Sequence, residues 1–145
     1  MTTLDLGQAL RNAMTAELSA KSFYTLLADS TEDPKAKKFL KKMASQEESH
    51  HEQIREYASS APEIEIPNLP DDNAELIETM PEWHDVDNID YDNALRVALD
   101  AEHHAAMTYD AIADAIADES GRELFRKIAK TEEQHAANLE ELMKG

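Results

Sequence analysis

Two Glu-Glu-x-His tetrads stand out in the sequence, Glu47-Glu48-Ser49-His50 and Glu132-Glu133-Gln134-His135. On a helix, a Glu and a His three residues apart share one face about a turn apart. One carboxylate and one imidazole then reach the same region. Upstream of each tetrad lies an Ala-Glu pair, Ala16-Glu17 and Ala101-Glu102. The neighbours of Glu17 three and four residues away include Ala13, Met14 and Ala20, and those of Glu102 are Ala98, Leu99, Ala105 and Ala106. Apolar neighbours on that face turn both carboxylates inward. A buried carboxylate without a partner is costly, and several gathered in one core repel each other. A pair of divalent cations removes both penalties. The expected chemistry is metal binding by Glu17, Glu47, His50, Glu102, Glu132 and His135. Glu47 and Glu132 are the expected bridges at a redox centre, with Glu17 and Glu102 as terminal ligands. An oxygen-rich, partly imidazole donor set suits two iron ions, with manganese or zinc as substitutes.

An internal repeat selects these residues from their neighbours. Sliding the chain by 85 positions lays residues 5–60 on 90–145 without a gap and gives eighteen identities. Glu17 falls on Glu102, Glu47 on Glu132, His50 on His135 and Tyr24 on Tyr109. Glu48 and His51 form a competing Glu-x-x-His pair, but His51 falls on Ala136. Glu48 and Glu133 match each other and are expected on the solvated side. His103 and His104 fall on Leu18 and Ser19, so the repeat gives them no ligand role. Tyr24 and Tyr109 each follow the lone Glu by seven residues, on nearly the same face. A phenol there could hydrogen-bond a ligand carboxylate or simply pack in the core.

These residues require long helices to carry them. Ala, Leu, Glu and Lys are abundant, and the chain has only three Gly and five Pro, a composition that favours helix over sheet. Apolar residues at three- and four-residue steps predict helices over 5–30 and 33–59. The first stripe contains Leu6, Ala9, Leu10, Ala13, Met14, Leu18, Leu27 and Ala28. Asp33-Pro34 reads as a helix start. Further helices are expected over 90–117 and from Asp118 or Ser120 to about 144. Residues 61–89 hold four of the prolines. They are expected to form a long connection, with Ile64-Glu65-Ile66 extended, a short helix over 72–79, Trp83 packed on a bundle face and His84 exposed. The six Met are expected as core filler.

The expected fold is an all-α four-helix bundle. It is one domain over 1–145, with hairpins at 5–60 and 90–145 and a crossover at 61–89. A connection long enough to travel the bundle gives the crossover arrangement of ferritin-like bundles, with the third helix expected to run in the direction of the first. A net charge of −17 argues against nucleic-acid binding, which needs a basic face. With no Cys, disulfides, thiolate metal sites and thiol catalysis are excluded. No segment resembles a signal peptide or a membrane span, so a cytoplasmic protein with no membrane partner is expected.

At these tetrads and Ala-Glu pairs the sequence resembles the ferritin-like superfamily, most closely its rubrerythrin branch. The resemblance covers nearly the whole chain and implies the same six ligands. It also implies a di-iron oxidoreductase that reduces hydrogen peroxide or dioxygen, a rubrerythrin-like peroxidase. Rubrerythrins proper carry a Cys-rich rubredoxin domain. This chain has no Cys, so an external electron donor such as a rubredoxin is expected. They also typically place another Glu one turn after the ligand of the third helix, where this chain has Ala105. The alternative functions are a ferroxidase in iron handling and a non-catalytic bundle stabilised by metal. A homodimer is the expected assembly.

Overall fold

The computed structural model describes residues 4–71 and 91–144. It contains four long helices and, among the described residues, no strand: α1 (Leu6–Ser30), α2 (Pro34–Ser60), α3 (Tyr91–Ala115) and α4 (Glu119–Lys144). The expected helix over 72–79, Trp83 and His84 lie outside the described residues. None of the described helices is long and apolar enough to cross a membrane.

Three of the helix starts follow from aspartate caps. The Asp5 carboxylate accepts from Gln8 N at 3.1 Å, and Asp33 accepts from Lys35 N at 3.1 Å ahead of Pro34. Asp118 accepts from Gly121 N at 2.8 Å. Each cap satisfies an amide that has no carbonyl partner inside the helix. Asp118 also accepts from Tyr57 Oη at 2.7 Å, which ties the end of α2 to the turn between α3 and α4. The third helix ends two residues earlier than expected. Ile116 leaves the helix, buries its side chain, and offers its carbonyl to Arg122 Nε at 2.7 Å.

The helices pair as α1 with α2 and α3 with α4, and two apolar layers join the hairpins. One layer combines Leu10, Ala13 and Met14 of α1, Ile54 of α2, Tyr109 and Ile112 of α3, and Phe125 and Ile128 of α4. The other combines Phe23, Tyr24 and Leu27, Leu40 and Met43, Leu95 and Ala98, and Leu139. The start of α1 therefore meets the end of α3, and the end of α1 meets the start of α3. This corrects the expected direction: α3 runs against α1 and parallel to α2. A connection that travels the bundle's length returns the chain to the end where α2 began, so the next helix repeats the direction of α2.

Residues 61–71 begin that return along α1. Arg11 Nε donates to Pro67 O at 2.8 Å, Gln8 Nε2 to Leu69 O at 3.2 Å, and Asn12 Nδ2 to Asp71 Oδ1 at 2.8 Å. Gly7 permits the close approach, because a Cβ there would collide with the Glu65 carbonyl oxygen. The Ile64-Glu65-Ile66 piece forms no strand, yet its alternation has a purpose. Ile64 and Ile66 pack on the first apolar layer while Glu65 is exposed.

Two apolar expectations fail locally. Leu18 is 42% exposed, because Glu17 takes the inward position of that turn and the next residue is rotated outward by about 100°. Met14 and Met43 are core residues, but Met107 and Met143 are exposed.

Candidate metal centre

Between the two apolar layers lies one polar layer. Glu17, Glu47, Glu102 and Glu132 are fully buried, and His50 and His135 nearly so. Each hairpin supplies three of the six. Within each hairpin, one helix gives a lone Glu and the other the Glu-x-x-His pair, which the 3.6-residue period places on one face.

The six side chains form two overlapping groups. Glu17, Glu47, His50 and Glu132 place one donor atom each within 4.8 Å of one another, and so do Glu47, Glu102, Glu132 and His135. Glu47 and Glu132 belong to both. Each imidazole turns Nδ1 inward. His50 Nδ1 lies 2.9 Å from Glu132 and 3.6 Å from both Glu17 and Glu47. His135 Nδ1 lies 3.3 Å from Glu47, 3.6 Å from Glu102 and 3.7 Å from Glu132.

These distances attract, but they are not aligned as hydrogen bonds. Oε2 of Glu17 and Glu102, both oxygens of Glu47 and Glu132, and both inward Nδ1 atoms have no hydrogen-bond partner. Unpaired buried polar atoms of this kind are rare and costly. Here they all converge on the space shared by the two groups. The donor set therefore fits a pair of divalent cations: hard oxygens and imidazole nitrogens at sites that also exclude water.

The electrostatics agree. Burial pushes the Glu47 carboxyl well above the usual range, and the charges of Glu132, Glu17 and Glu102 add to it. Burial and then Glu132 push Glu102 well up, and burial with Glu132 raises Glu17. Burial would raise Glu132 as well, but its contacts with Glu102, His135 and His50 outweigh that and hold it below the usual range. For the imidazoles burial works downward. Glu132 and Glu17 overcome it and bring His50 up to about 9. Glu102 and Glu132 bring His135 up to about 10. Without cations, the layer keeps protons that cations would replace.

Each expected tyrosine reaches across the bundle rather than along its own helix. Tyr109 Oη donates to Glu17 Oε1 at 2.5 Å, and Tyr24 Oη donates to Glu102 Oε1 at 2.5 Å. The residues set aside by the repeat or by their rotation toward solvent lie outside the cluster. Glu48, Glu133, His103 and His104 are exposed. His51 is half-buried, with Nδ1 3.1 Å from Met14 O. One contact was missed by sequence reasoning: Gln46 Oε1 lies 2.7 Å from His135 Nε2. Its repeat position is Thr131, so the internal symmetry could not point to it.

The fold and the polar layer define a four-helix bundle with a buried carboxylate–imidazole cluster. The rubrerythrin family model matches residues 8–143, and the chain belongs to the rubrerythrin family. A hypothetical protein from Pyrococcus furiosus has a similar structure, with a TM-score of 0.75 at 24% identity over 96% of this chain and 88% of that one. That likeness bears on the fold alone. No curated protein matches the chain.

Proposed function

We propose that the chain is an oxidoreductase that reduces hydrogen peroxide or dioxygen at two iron ions, using electrons from an external donor. The observation that carries this reading is the overlap of the two residue groups at Glu47 and Glu132. Glu47 and Glu132 would help hold both ions, with Glu17 and His50 completing one position and Glu102 and His135 the other. Manganese or zinc suits the same donors. Bound there, a ferrous pair would supply two electrons, one from each ion, which with two protons take hydrogen peroxide to two waters or dioxygen to hydrogen peroxide.

The chain's own residues prepare that chemistry. Four carboxylates match the charge of two divalent cations, so the buried layer becomes neutral when loaded. Tyr109 and Tyr24 each hold Oε1 of a terminal Glu and leave its Oε2 facing inward. That fixes the carboxylate's orientation. The apolar layers on either side exclude water, which strengthens each charge interaction between them. With no Cys in the chain, a separate donor such as a rubredoxin is the proposed source of electrons.

Stopped-flow mixing of ferrous-loaded protein with peroxide, and separately with dioxygen, tests the reading. Oxidation much faster than that of free ferrous iron supports it, and the faster arm identifies the oxidant. Oxidation no faster than free iron rejects it. Continued uptake of iron beyond two per chain would favour iron handling instead.

A further inference from the structure

The two halves of the cluster are related by the internal repeat, but they are not supported alike. His135 Nδ1 points into the cluster and its Nε2 meets Gln46 Oε1 at 2.7 Å. His50 Nδ1 also points inward, yet no described residue offers its Nε2 a hydrogen bond. The repeat counterpart of Gln46 is Thr131. Its shorter hydroxyl instead donates to Lys127 O of its own helix at 3.1 Å.

This difference matters because an imidazole that binds a cation through Nδ1 must carry its proton on Nε2. Gln46 Oε1 accepts that proton's hydrogen bond. It holds the Nε2 proton in place when Nδ1 yields its own to a cation, and it fixes the plane of the His135 ring. Gln46 adjoins Glu47, so the same turn of α2 that supplies a shared carboxylate also orients the imidazole of the opposite hairpin. Among the described residues His50 has no such acceptor, so its ring angle is fixed only on binding.

Resting on the di-metal reading above, we infer that Gln46 is a positioning residue that makes the two metal positions inequivalent. The Glu102–His135 position binds the first divalent cation, and the Glu17–His50 position binds the second. Partners of this kind commonly change metal affinity by about 10- to 100-fold.

The test uses full-length protein labelled with ¹⁵N at histidine, freed of metal and titrated with Zn²⁺ as a diamagnetic probe. At one equivalent, the His135 ring signals should move to their bound positions while those of His50 stay. The Nε2 proton of His135 should also exchange slowly with water. Gln46→Ala should reduce the preference for His135 at least about 10-fold. Gln46→Glu, which keeps an acceptor oxygen, should retain it. A simultaneous half-shift of both histidines in the unmodified protein overturns the inference and leaves the di-metal reading intact. So does an unchanged filling order in Gln46→Ala. If neither histidine responds to Zn²⁺, the di-metal reading fails and the inference with it.

Discussion

Tyr24 Oη and Glu102 Oε1 lie 2.5 Å apart across the bundle, and Tyr109 and Glu17 repeat the contact in the opposite sense. Moving seven residues forward on α1 therefore moves seven backward on α3, as only antiparallel helices allow. Each phenol reaches the lone carboxylate of the other hairpin. Tyr24→Phe should weaken metal binding at the Glu102–His135 position, and Tyr109→Phe at the Glu17–His50 position. The expected loss is about 10- to 100-fold in affinity, with ~1–3 kcal/mol of stability from the orphaned buried oxygen. Calorimetric metal titration and thermal melts of each variant check both figures. Equal loss at both positions from either variant would contradict the cross-pairing.

Shared and unshared ligands should differ in stoichiometry. Glu47→Ala or Glu132→Ala removes a donor from both groups and should abolish retention of both ions. Glu17→Ala removes a donor from one group only and should leave one ion per chain. Elemental analysis after dialysis distinguishes the cases. Two retained ions in Glu47→Ala would refute the bridging role.

The dependence on pH should reverse between the metal-free and loaded protein. His50 and His135 rise from an ordinary 6.5 to about 9 and about 10 in the metal-free fold. The fold thus binds their protons more tightly than the unfolded chain does. That stabilisation is complete below pH 6.5 and is lost as pH rises through the two raised values. Glu47 and Glu102, raised by burial, act in the same direction. Metal-free protein should therefore melt at progressively lower temperature as pH rises across this window. Cations displace the same protons, so metal affinity should increase over it. A metal-free melting temperature that climbs with pH would contradict the sign.

Much of this site is legible from the sequence because helical period and internal repeat act together. The period places Glu47 with His50 and Glu132 with His135, and the repeat rejects His51. The limits have physical causes. Helix direction depends on where the connection delivers the chain, and spacing within helices does not encode that. Leu18 fits an apolar stripe by count, but a stripe has edges and the inward position beside it belongs to Glu17. Gln46 escapes notice because its partner sits on the other hairpin and the repeat supplies no counterpart.

Gly7 makes a separate test of the connection. A methyl group there would collide with the Glu65 carbonyl, and backbone cannot rotate aside as a flexible side chain does. Gly7→Ala should cost about 1–3 kcal/mol and increase amide exchange across 61–71, leaving metal stoichiometry unchanged. Denaturant melts and hydrogen exchange measure both. Unchanged exchange in that segment would show that the approach is not limiting.

The cross-pairing and the shared carboxylates have a consequence for where this centre comes from. Each four-residue group takes three members from one hairpin and a single Glu from the other. One hairpin alone offers half a cluster with nothing to close it. A hairpin joined to an identical copy about the same axis would close both halves at once. The centre is thus a product of dimer-like symmetry inside one polypeptide, as gene duplication and fusion of a half-length ancestor would leave it. The Gln46–Thr131 difference is then a mark of divergence: once the halves shared a chain, each could change without the other.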